Sequence, residues 1–144
     1  MAAPVGTSAA REPSSPELRR AEADLAAGRV ESAIRRARQA VAKRRQDPRP
    51  HLVLGHAYYR KGWHRDAIDE FSRAVRLDPA VRQDEAMLHD AVSCLSRRNT
   101  APKARFFLVK TVGAPAIPAL KGGLQSRDPD VRRRAGDALA TLGR

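Results

Sequence analysis

The stretch PHLVLGHAYYRKGWHRDAIDEFSRAVRLDP, residues 50–79, decides the fold. It divides at Gly62 into two runs whose apolar and small residues recur at three- and four-residue spacing. Leu54 and Tyr58 recur this way in the first run, and Ala67, Phe71 and Ala74 in the second. Such spacing puts each set on one side of a helix. Gly62 supplies the turn and Pro79 ends the second helix. Gly55 and Ala67 are small enough for two helices to approach closely, while Tyr58 and Phe71 have the bulk to fill the gap between hairpins. No window alternates β-branched and polar residues, so no sheet is expected.

Outward from this hairpin the same pattern returns. Gly28 and Gly62 are 34 residues apart, as are Ala33 and Ala67, Ala37 and Phe71, and Ala40 and Ala74. Leu18, Ala21, Leu25 and Ala26 form one helical stripe before Gly28, and Val30, Ala33, Ile34, Ala37 and Val41 form another before Asp47-Pro48. A single helical hairpin cannot bury its apolar face alone, so the copies must stack. Leu54-Gly55, Tyr58, Ala67, Phe71 and Pro79 fall where the tetratricopeptide repeat pattern expects them, and residues 48–81 resemble that family. His51 stands where the family has Trp. Residues 16–47 resemble a degenerate copy, with Ala21, Asp24 and Ala37 in place of the Gly, Tyr and Phe. A divergent third copy is expected over 82–110, with Ala86, Leu88, Val92 and Leu95 on its first helix and Ala101 at the spacing of Ala67.

The segment GAPAIPALKGGLQSRDPDVRRRAGDALATLG, within 111–144, resembles a different helical unit, the HEAT-type repeat. Ile117, Leu120 and Leu124 are expected to line its first helix. Asp128 caps the second and Pro129 takes its first turn. Val131, Ala135, Ala138, Leu139 and Leu142 make the buried stripe, and Gly143 ends it. The resemblance implies that Asp130 and Arg132 bond across to the neighbouring hairpin. The fold expected is all-α: a right-handed α-solenoid of about four hairpins over 16–144, behind a Pro- and Ser-rich flexible leader, 1–15. A coarser resemblance lies in the order of the parts, which is similar to the non-catalytic C-terminal tails of some bacterial serine/threonine kinases. It implies association with a kinase or signalling complex. No Gly-rich phosphate loop and no D-F-G is present.

The chain has 144 residues, of which 42% are hydrophobic and 4% aromatic, enough apolar surface for a helical core of Ala, Leu and Val. Its single cysteine, Cys94, excludes an internal disulfide scaffold. No apolar run approaches the roughly 20 residues that span a bilayer. The opening MAAPVGTSAAREPSSPEL has neither the basic nor the apolar part of a secretory signal. A soluble cytoplasmic protein with no membrane contact is the expectation. The charge is lopsided, 28 Lys and Arg against 16 Asp and Glu, or +12. Twenty-three of these cations are Arg, a skew that a GC-rich genome produces without selection for any partner.

No catalytic motif of the G-x-S-x-G, H-E-x-x-H or phosphate-loop kind occurs, so the chain reads as no enzyme, with no cofactor and no metal. Cys94 reads as a buried structural thiol. His51 and His56 are five apart and leave a helix on different sides, His64 sits in a turn, and His89 stands alone. Within the tetratricopeptide resemblance, the first helix of each hairpin lines a concave groove. On the best copy its non-packing positions, expected to face a ligand, are Arg49, Leu52, His56, Tyr59 and Arg60. Those residues suit an acidic peptide or a partner helix, with Arg pairing carboxylates and Tyr59 stacking beside them. The alternative is electrostatic binding of nucleic acid or an anionic surface. It would use a basic patch of Arg35, Arg36, Arg38, Arg44 and Arg45 together with Arg132, Arg133 and Arg134. No aromatic residues alternate with these arginines to stack bases, so nucleic acid is the less favoured partner.

Overall fold

The computed structural model describes residues 12–143, and within them every regular element is helical. In chain order these are α1 (Pro16–Ala26), α2 (Val30–Lys43), α3 (Arg49–Arg60), α4 (His64–Leu77), α5 (Glu85–Ser93), α6 (Ala101–Phe106), α7 (Ile117–Gly123) and α8 (Pro129–Leu142). Short 3₁₀ turns follow α4 and α5 and precede α7, and α6 runs into a π-helical segment at Phe107–Val112. Residues 1–11 of the expected leader lie outside the described residues. The leader ends at Ser15, whose Oγ caps α1 by accepting from the Leu18 N–H at 3.1 Å.

Two near-identical turns build the first two hairpins. Gly28 and Gly62 both have φ of +81°, the left-handed conformation that glycine adopts without a Cβ penalty. After Gly62 the chain packs α4 against α3 so closely that a Cβ on Gly55 would lie 2.2 Å from Phe71 Cε1. Phe71 is fully buried, with the His56 ring edge-on at 5.2 Å and Phe107 at 6.4 Å. One ring thus ties α3, α4 and the π-helical segment together. Along the stack α3 packs against α1, α5 against α3, and α7 against α5, so the first helices form one face. The buried side chains run from Leu18 to Ala138 as one continuous core.

The third copy departs from the expected hairpin. Asp84 caps α5 by accepting from the Met87 N–H at 2.8 Å, and this cap fixes the register. Met87, Leu88, Ala91 and Val92 then face inward, and Ala86 is left exposed. The helix stops at Ser93, so Leu95 is buried from a 3₁₀ turn instead of from the first helix. His64 opens α4 as a buried residue, where a turn position was expected.

In the last hairpin Asp128 caps α8 through the Asp130 N–H at 2.8 Å, Pro129 follows, and Gly143 ends the helix. Leu124, expected on the inner face of α7, is 40% exposed because α7 ends one residue earlier. The expected bridge through Asp130 and Arg132 is absent among the described residues. Arg132 donates to the Ser126 carbonyl of its own hairpin at 2.7 Å, and Asp130 pairs with Arg133 at 3.1 Å. The neighbouring arginine makes the crossing instead: Arg134 donates to the Leu95 carbonyl at 2.7 Å. That carbonyl belongs to the turn after α5, where the helix has no further partner to offer it.

Candidate partner-binding face

The five side chains expected in the groove all lie on α3, between α1 and α5, but they differ in what they are free to do. Arg49 opens α3 and its guanidinium makes a two-pronged contact with Asp47, Nε to Oδ1 at 2.9 Å and Nη2 to Oδ2 at 2.8 Å. Asp47 is buried, and its hydrogen bonds hold the Arg49 guanidinium above its ordinary pKa. A charge-assisted pair of this geometry gives the start of α3 a fixed corner. Leu52 is half-buried and packs on the core. His56 Nδ1 lies 2.6 Å from Asp90 Oδ2, joining α3 to α5. Tyr59 is half-buried and stacks on the His64 ring at 5.0 Å with 15° between planes. Arg60 is exposed and donates to the Leu25 carbonyl at 2.6 Å, so among the described residues its charge meets a neutral acceptor and no carboxylate.

Below this face the hairpin has a second polar bridge. His51 Nδ1 lies 2.7 Å from Glu70 Oε1, and Arg73 donates to the other Glu70 oxygen at 2.6 Å. The imidazole at the place where the repeat pattern has Trp is therefore a buried strut between α3 and α4. Asp24, where the first copy lacks Tyr, does similar work. Its carboxylate accepts from Ser32 at 2.5 Å and from Arg29 at 2.9 Å, and pairs with Arg36 at 3.0 Å. The Ser32 hydroxyl above all, then Arg29 and Arg36, hold its pKa low against burial.

The basic residues of the alternative site are drawn into the same inter-helix bonding. Arg36 serves Asp24, Arg38 donates to the Tyr58 hydroxyl at 2.8 Å, Arg44 to the Pro13 carbonyl at 2.5 Å, and Arg134 to Leu95. Arg35, Arg45, Arg132 and Arg133 are exposed. They sit on or just beyond α2 in the first hairpin and on α8 in the last, with two helix pairs between. The eight residues are thus divided between the two ends of the stack.

Several of the links between hairpins have one signature. His56 to Asp90, Arg60 to Leu25, Arg97 to the Gly62 carbonyl at 2.6 Å and Arg65 to the Asn99 carbonyl all join residues 34 or 35 apart. A stack in which each unit touches only its neighbours makes its contacts at the repeat length. Pairing complementary side chains at that offset is the signal in the sequence that would have found His56–Asp90. Sequence reasoning also missed the role of Arg97, which holds the Gly62 turn from the third copy.

Open space is also found away from α3. A cleft of about 760 Å³ lies between α5 and the α7–α8 hairpin, bordered by Ala86, Val92, Ala119 and Gly122. Among the described residues no three His, Cys, Asp or Glu side chains converge as a metal-holding set. Cys94 is fully buried, and burial pushes its thiol up to about 12. No helix among the described residues is long and apolar enough to cross a membrane.

No curated protein and no solved structure matches the chain. Residues 48–81 match the tetratricopeptide repeat family, the segment that forms α3, α4 and the turn after them, and the chain carries a repeat of that type at the centre of its first-helix face.

Proposed function

We propose that this chain is a non-enzymatic protein-interaction module that holds an acidic segment of a partner, as an extended peptide or a helix, across α3. Tetratricopeptide repeats generally mediate protein–protein interaction, which supports the class of function. The observation that carries the acidic ligand is Arg60: an exposed guanidinium bonded to the Leu25 carbonyl and, among the described residues, paired with no carboxylate, with the half-buried ring of the preceding residue, Tyr59, stacked on His64. A partner carboxylate there gains a charge-assisted hydrogen bond without breaking an existing ion pair. Arg49 and His56 act as the frame of the site, because Asp47 and Asp90 already occupy them. The order of parts, a tetratricopeptide unit ahead of a HEAT-like hairpin, is what supports a partner from a kinase-linked signalling assembly.

The test uses an array of immobilised hexapeptides, one half carrying Asp or Glu and the other half uncharged. The wild type is expected to retain acidic peptides in a salt-sensitive way. Arg60→Glu combined with Tyr59→Ala should remove that retention while helicity by circular dichroism is unchanged. Equal retention by the variant refutes the reading. Arg49 is left intact in this test, since removing it would strand the buried Asp47 carboxylate and confuse binding with folding.

A further inference from the structure

The cleft between α5 and the last hairpin has a composition unlike the rest of the molecule. The chain carries 28 Lys and Arg, yet among the residues lining this cleft there is none. Its charged or titratable lining is Glu85 and the exposed His89. The walls are apolar: Leu88 and Val92 from α5, Ala119 from α7, Val131 from α8, and the rings of Pro115 and Pro118. A volume of about 760 Å³ falls within the roughly 300–1,000 Å³ of pockets that bind ligands.

Apart from Glu85 and His89, the polar groups around these walls are neutral and still have hydrogen-bonding capacity. Ser93 Oγ donates to the His89 carbonyl at 3.1 Å, which leaves its lone pairs to accept. Ser126 Oγ accepts from the Asp128 N–H at 3.1 Å, which leaves its proton to donate. Gln83 and Gln125 each offer a donor and an acceptor. Acceptors and donors bordering an apolar floor suit a peptide backbone with small aliphatic side chains. Ala86 and Ser93 also stand 34 residues after Leu52 and Tyr59, so the cleft borders the α3 face through the adjacent α5.

We infer that this cleft binds an uncharged, aliphatic extended segment of a partner protein, separate from the acidic segment held at α3. The inference rests on the reading of the chain as a protein-interaction module and adds a second site of opposite chemistry. An acidic segment is disfavoured there because no Lys or Arg lines the cleft to compensate the desolvation of its carboxylates, and Glu85 adds a like charge. The two glycines of α7 shape the site differently. A Cβ on Gly123 would lie 2.9 Å from Ala135 Cβ and 3.0 Å from Val92 Cγ1, so this position keeps α7 close to its neighbours. A Cβ on Gly122 would meet nothing within 4 Å, and its space is the cleft itself.

Gly122→Phe therefore starts a plug from a position with open space around its Cβ, and Ala86→Phe fills the same cleft from the opposite wall. The same hexapeptide array is read with both variants, each first checked for wild-type helicity and a cooperative melt. The expected result is that uncharged peptides rich in Leu, Val and Pro bind the wild type and lose at least tenfold in affinity with either plug, while acidic peptides are unaffected. The inference is overturned if neither plug changes any peptide, or if the peptides lost are the acidic ones. Failure of the α3 reading looks different: the acidic peptides then ignore Arg60→Glu with Tyr59→Ala, whatever the plugs do.

Discussion

Replacing Gly55 with Ala should destabilise the protein by about 2 kcal/mol, although alanine is the better helix former. The added Cβ would sit 2.2 Å from Phe71 Cε1, 2.4 Å from Cδ1 and 2.9 Å from Cζ. Carbon atoms prefer about 3.5–4.0 Å, so the overlap exceeds an ångström on one edge of the ring. The ring cannot yield cheaply, because Phe71 is fully buried and braced by His56 and Phe107. Overpacking of this kind costs about 1–3 kcal/mol, and so deep an overlap belongs at the upper end. The gain in helix propensity returns about 1 kcal/mol. Urea unfolding should show the loss as a lower midpoint at constant slope, and a thermal melt as a drop of about 4–8 °C. Gly122→Ala is the control: the same substitution with open space around it should be neutral or stabilising by up to about 1 kcal/mol. Phe71→Leu in the Gly55→Ala background should recover part of the loss as a measurable coupling. A Gly55→Ala protein as stable as wild type would refute the close-approach argument for the whole hairpin.

Two further outcomes follow from buried titrating groups. Burial first and Arg97 second lower the pKa of His64, against a smaller opposing pull from Asp90, and its Nδ1 is buried without a hydrogen-bond partner. Because the folded value lies below the unfolded value near 6.5, His64 is neutral in both states at pH 7.5. As pH falls through 6.5 the unfolded chain takes up the proton first, so stability is lost on the acid side. His64→Phe should flatten that loss between pH 7.5 and 5, measured by urea midpoints, and an unchanged slope would count against it. Cys94, with its thiol pushed up to about 12, should resist a thiol-specific disulfide reagent at pH 8 in the native protein and react fully in urea. Rapid stoichiometric labelling of the native form would contradict its burial.

The repeating hairpin was legible because its determinants are local and periodic. Gly28 and Gly62 mark turns that need a left-handed residue, and Gly55 with Phe71 marks a close approach. The α3 side chains were found from their places in the repeat, but not their partners. Arg49 bonds two residues back, His56 to a carboxylate 34 residues on, and Arg60 to a carbonyl 35 residues earlier. The cleft without Lys or Arg was not legible, since its walls come from three helices that no periodic pattern connects.

The sequence by itself therefore determined an all-helical chain, the spacing of its units and the position of its best repeat. Helical period, turn chemistry and side-chain size act over a few residues and repeat along the chain. Only the tertiary structure decided which arginines bond carboxylates and which bond carbonyls, where the third copy ends, and where space remains. Those outcomes depend on how the α5 cap sets its register and on which carboxylate or carbonyl a neighbouring hairpin brings within reach.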